Sequence, residues 1–149
     1  MDPLYKGKVM ILYDKPVPEA IATLFLNTGT IDEDGFIKVQ DDLYVHPIRV
    51  LGTFKSQSIS ALTQKGGRLA TLKELNAIHS NLPFILSIIE SLQLTNVLRF
   101  DRGLDWVYDV KHHSNGTLAF CFSMKDGLVI VSETANLEIR SWVSVKGSL

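Results

Sequence analysis

The chain has 149 residues, 46% hydrophobic and 21% charged, with a formal net charge of -1. That length suits one domain with its own core. The neutral balance and the scattered Lys and Arg residues argue against nucleic acid and anionic lipid as partners, and the single cysteine, Cys121, excludes an intrachain disulfide framework.

In chain order, Met1 to Lys6 has no apolar leader pattern, so synthesis in the cytoplasm is expected. Gly7 to Tyr13 predicts a strand closed by Pro16 and Pro18. Glu19 to Asn27 fits a short helix or a strand. Asp32-Glu33-Asp34-Gly35 is a turn, because Asp-Gly tolerates positive φ. Phe36 to Val39 and Leu43 to Leu51 are expected to pair across Gln40-Asp41-Asp42, with Pro47 favouring an edge. A helix is expected over Lys55 to Lys65, leaving through Gly66-Gly67. Thr71 and Glu74 form a T-x-x-E capping box, and Leu72, Leu75, Ile78 and Leu82 share one face of the helix it opens. Asn81 and Pro83 end that helix and begin a third, bearing Phe84, Ile85, Ile88, Ile89 and Leu92. The stretch Pro83 to Leu94 is too short to span a bilayer.

The last third predicts sheet. Leu104 to Val110 and Thr117 to Ser123 flank the loop His112-His113-Ser114-Asn115-Gly116, Leu128 to Ser132 follows Lys125-Asp126-Gly127, and one closing strand carries Leu137, Ile139, Ser141, Val143 and Val145. Strands, helices and then an antiparallel meander make the expected class α+β, in one domain over 1–149 with an N-terminal β extension over 1–42.

A strand, a helix, Gly66-Gly67-Arg68-Leu69-Ala70-Thr71, a capped helix and a meander together resemble the C-type-lectin-like fold over roughly residues 43–145. The segment Gly66 to Leu75 is similar to the G-x-R-L-P-T-x-x-E segment of formylglycine-generating-enzyme-like proteins. The resemblance implies two to three helices packed on a β-meander, and a role in adhesion, receptor binding or particle assembly, as in disulfide-free bacterial and phage members. The calcium motifs E-P-N, Q-P-D and W-N-D are missing, and the cysteine-pair chemistry of the formylglycine branch needs two cysteines.

Other candidate chemistry is sparse. His112 and His113 are adjacent, so on a strand they point to opposite faces and do not converge on one ion. Asp32, Asp34, Asp41 and Asp42 lack the fixed spacing of an EF-hand. Cys121 lies in an alternating apolar strand and is read as a core or interface residue. No nucleophile elbow, phosphate loop or zinc-helix motif occurs. The chain is therefore expected to be a non-enzymatic recognition or assembly module, a phage virion component or a bacterial surface or secreted protein, with no metal and no cofactor. Its expected partner is a protein or a second copy within a larger assembly. The expected contact residues are Trp106, Tyr108, His112, His113, Asn115, Glu133 and Trp142, aromatics being common interface anchors. A sugar-binding module stacking on Trp106 or Tyr108, and a small enzyme using Asp109, His112 or Glu133, are the alternatives.

Overall fold

The computed structural model describes residues 9–13, 15–54, 62–94, 100–108, 119–132 and 138–147. Three helices and three largely antiparallel sheets appear among them, a mixed α+β architecture. The prolines expected to close the first strand instead lie inside the second. β1 (Val9–Leu12) and β2 (Lys15–Pro18) form an antiparallel hairpin pairing Val9 with Pro18 and Leu12 with Lys15. In a two-stranded ribbon every strand is an edge, so a proline's missing N–H can face away from the ladder.

The ambiguous segment is helical: α1 spans Glu19–Thr28 and ends at Gly29, whose φ of 75° is left-handed. The Asp-Gly turn forms as expected. Asp32 Oδ1 accepts from the backbone N–H groups of Asp34 and Phe36, at 2.9 and 3.0 Å, and Gly35 takes φ 88°. β3 (Ile37–Gln40) then pairs with β4 (Leu43–Val45). The long strand expected over Leu43 to Leu51 breaks here. His46 is buried, and its Nδ1 accepts from the Ile48 N–H at 3.1 Å, bending the chain away from β4. β5 (Val50–Gly52) consequently joins a different sheet.

Most of the helix expected over Lys55 to Lys65 lies outside the described residues, and its final residues, 62–65, are not α-helical. They form a turn in which the Gln64 N–H donates to Ser144 Oγ and the Gly67 N–H to the Gln64 carbonyl, both at 2.9 Å. Gly66 has the expected left-handed φ, 85°, but the chain passes through a short strand, β6 (Arg68–Leu69), before α2 (Leu72–Ser80). The capping box is complete, with Thr71 as N-cap. Glu74 also receives Arg68 at 2.8 and 2.5 Å, tying β6 to the first turn of α2. α3 (Leu82–Ser91) follows, with Pro83 in its first turn, where a missing N–H costs nothing.

β7 (Leu104–Trp106), β8 (Ala119–Ser123) and β9 (Leu128–Ser132) form the expected meander. The expected closing strand is two strands. β10 (Arg140–Trp142) lies between β5 and β7 in the sheet β5-β10-β7-β8-β9, and β11 (Ser144–Lys146) lies between β4 and β6 in the sheet β3-β4-β11-β6. Val143, fully buried, marks the crossing from one sheet to the other.

Strand alternation places two cores on opposite faces of the five-stranded sheet. Phe122 and Val107 face the larger, with Leu75 and Ile78 of α2, Ile85 and Ile88 of α3, and Val45 and Val145. Cys121, Ala119 and Trp106 face the smaller, with Trp142, Phe54 and Leu69.

Candidate interaction surface

β9 is the last strand of the five-stranded sheet and lies beyond the reach of both cores. Its sequence, Leu-Val-Ile-Val-Ser, is that of a buried strand. Yet Leu128 is 61% exposed, Val129 44%, Ile130 44% and Val131 52%. Among the described residues only β8 pairs with it, in unbroken register from Ala119–Ser132 to Ser123–Leu128. Its other edge carries none of the usual guards, having no charged side chain, no proline and no bulge.

A groove flanks the ribbon on each face. One, of about 360 Å³, is lined by Val129, Phe120, Tyr108, Val107 and Leu72, with Thr71 and Lys73 at its rim. The other, of about 330 Å³, is lined by Ile130, Val131, Cys121 and Leu104, with Glu138 and Arg140 at its end. Ser132 Oγ donates to Glu138 Oε1 at 3.3 Å, so the Glu138 carboxylate, itself paired with Arg140, reaches the Ser132 end of the strand. At the opposite end, the exposed turn residues Lys125 and Asp126 precede Leu128.

Of the expected contact residues that are described, only Tyr108 lies on this surface, half-buried in the first groove. Trp106 and Trp142 correct the expectation of an aromatic rim: both indoles are 0% exposed, and both pack on Phe54. Their N–H groups donate inward, to the Gly52 carbonyl at 2.9 Å and the Thr53 carbonyl at 3.3 Å. His112, His113, Asn115 and Glu133 lie outside the described residues, as does Asp109. The apolar run Leu128 to Val131 carries the surface and was not among the expected contact residues. The signal for it was an uninterrupted apolar strand directly after an Asp-Gly turn, in a region where neighbouring strands alternate.

Several of the described titratable groups are engaged within the protein. Asp32 and Asp34 converge on Lys146 Nζ, at 2.9 and 2.6 Å, and the Lys146 hydrogen bond holds the Asp34 carboxyl below its ordinary range. Asp41 pairs with Lys38 at 3.4 Å across the exposed turn. Burial pushes the Cys121 thiol up to about 11, away from nucleophilic chemistry at neutral pH. Arg49 and Asp105 form a buried ion pair at 3.0 Å. Ser141 Oγ donates to Asp105 Oδ1 at 2.5 Å, while Oδ2 has no hydrogen-bond partner among the described residues. Burial drives this carboxyl up to about 6, with Arg49 and Ser141 opposing the shift. Among the described residues no group of three or more His, Cys, Asp or Glu side chains could hold a metal ion. None of their helices is long and apolar enough to cross a membrane.

No protein-family model, no curated protein and no solved structure matches this chain.

Proposed function

We propose that this chain is a non-enzymatic recognition or assembly module with a C-type-lectin-like fold, working through the β8–β9 ribbon as part of a phage particle or a bacterial surface assembly. The observation that carries the reading is the exposure of four consecutive apolar residues, Leu128 to Val131, on a strand without edge guards. Such a strand offers unpaired backbone groups and apolar side chains together, which is the chemistry of strand addition. The succession of β4, the Gly66-Gly67 turn, the capped helix α2 and the β7–β9 meander supports the fold. Engagement of several titratable groups within the protein supports binding over catalysis.

The experiment is amine cross-linking in the cells that make the protein, followed by peptide mass spectrometry. Lys125, at the tip of the ribbon, is the reporter. The expected result is a link from Lys125 to a lysine of another polypeptide, lost in the exposed-site variant Ile130→Lys. No intermolecular link through Lys125 overturns the reading.

Tyr108 favours a second reading, because its ring shares a groove with Thr71 and Lys73, an aromatic face beside polar groups suited to a sugar. Trp106, fully buried, is no longer the residue to test. Glycan-array binding that disappears in Tyr108→Ala supports sugar recognition, and a blank array removes it.

A further inference from the structure

We infer that His46 and Tyr13 form an acid-released latch on the corner between β4 and β5. A proton taken up by the imidazole breaks its hold on the Ile48 N–H, and the Tyr13 end of the β1–β2 hairpin yields to let the ring reach water. A backbone N–H only donates, so the bond from Ile48 keeps a lone pair on Nδ1 and the ring proton on Nε2. An imidazolium carries N–H at both nitrogens, which would set two donors head to head at 3.1 Å. The ring has no room to turn where it stands. It is 4% exposed, and Tyr13 and Phe36 meet it edge to face at 5.3 and 4.9 Å between centroids. The groups around it do not rescue the cation. Burial opposes it most, and Lys146 adds to that, against the Asp32 carboxylate and the backbone at Ile48 and Asp34. The Asp32 and Asp34 carboxylates are already bound to Lys146 Nζ, and burial holds the Tyr13 hydroxyl neutral.

Releasing the corner breaks no ladder bond. Pro47 has no N–H, the His46 N–H goes to the Ser144 carbonyl at 2.9 Å, and Val50 already pairs with Trp142. The sheets on either side therefore keep their pairings. Tyr13 is the wall that can give. Among the described residues its hairpin pairs with neither larger sheet, and a two-stranded ribbon is weakly held by its own bonds. Tyr13 takes a left-handed φ of 62°, and its buried hydroxyl has no hydrogen-bond partner among the described residues. Moving the ring outward relieves both the backbone conformation and the unsatisfied donor. Val17 is buried in the larger core, with Met10 and Leu12 packed against it, which confines the motion to the Tyr13 end.

The test is amide hydrogen exchange of the full chain by NMR from about pH 7 to about pH 4, with the His46 nitrogen shifts followed in parallel. Closure needs the neutral ring, which titrates at about 4 when buried and at the ordinary 6.5 when released. The latch is therefore fully closed above pH 6.5 and weakens as pH falls toward about 4. Opening at the Ile48 amide is expected to rise about tenfold per pH unit across that window. This rise offsets the falling hydroxide concentration, so Ile48 should exchange at a nearly constant rate. Its exchange should also ignore urea below the unfolding transition, because a local opening exposes little surface. In His46→Asn the carboxamide oxygen replaces Nδ1 as acceptor but takes no proton, and the same amide is expected to slow as hydroxide falls. Nitrogen shifts that put the proton on Nδ1 at pH 7 overturn the latch. So does wild-type Ile48 exchange that slows with pH as in the variant. Exchange that accelerates with urea in step with the β4–β11 ladder makes the opening global and overturns it too. Should the asparagine variant not fold, the nitrogen shifts and the urea dependence of the wild type still decide.

Discussion

Replacing Arg49 with methionine leaves the Asp105 carboxyl buried without its guanidinium. Removing one partner of a buried ion pair costs about 3–5 kcal/mol, whereas replacing both partners by apolar residues of similar volume is close to neutral. Arg49→Met is therefore expected to lower the urea midpoint strongly, and Arg49→Met with Asp105→Leu to recover most of the loss. Equal midpoints for Arg49→Met and the wild type would show that the pair contributes nothing. The same carboxyl also shapes the response to pH. Its value rises on folding from the ordinary 3.8 to about 6, so its contribution to stability is full below pH 3.8 and disappears as pH rises through about 6. His46, buried against Tyr13 and Phe36, behaves oppositely. Burial lowers it from 6.5 to about 4, so its contribution is full above pH 6.5 and is lost as pH falls through about 4. The two slopes, each up to about 1.4 kcal/mol per pH unit, largely cancel between them. Urea midpoints at pH 4, 5, 6 and 7 should expose each in turn. Asp105→Asn should lose stability on acidification more steeply than the wild type, and His46→Gln less steeply. Parallel curves for all three proteins would contradict this.

The start of α2 is secured by one carboxylate serving several donors. Glu74 accepts from the Thr71 N–H at 3.0 Å, from Thr71 Oγ1 at 3.1 Å and from both Arg68 nitrogens. Thr71→Ala removes only the cap and is expected to cost about 1 kcal/mol. Glu74→Ala also leaves Arg68 without this partner and is expected to cost more. Denaturant midpoints at unchanged m-value decide it, and Thr71→Ser should restore the wild-type value. This helix was legible in the sequence because a capping box is a local device, complete within four residues. The Asp-Gly turn and the meander were legible for the same reason. The proline hairpin was not, since Pro16 and Pro18 are breakers everywhere except on an edge, and the edge is a tertiary fact. The break at His46 depends on a side chain bonding to its own backbone two residues on. The surface was the least legible. An apolar strand looks the same whether it is covered or bare, and an indole suits a core or a rim equally, so Trp106 and Trp142 were expected outside.

At the scale of the molecule, the segment from Arg140 to Lys146 holds the two larger sheets together. β10 lies between β5 and β7, β11 lies between β4 and β6, and Trp142 and Val145 enter different cores from the same seven residues. A chain ending at Ile139 is therefore expected to lose both sheets rather than one, because β5 loses β10 and β4 loses β11. The full chain should show blue-shifted tryptophan emission from its two buried indoles and one cooperative thermal transition. The shortened chain should show red-shifted emission and none. A truncated protein that keeps a cooperative transition would mean that one sheet stands without the closing segment.

The same arrangement dictates when this protein can acquire its structure. β4 and β5 leave the ribosome early, but their partners follow far behind them in the chain, with Val45 waiting for Val145 and Leu51 for Ser141. Neither larger sheet can be completed until that segment has been made, and the apolar β9 ribbon emerges before it. The yield of native protein in a cell then rests on whatever shelters those early strands until the closing segment arrives.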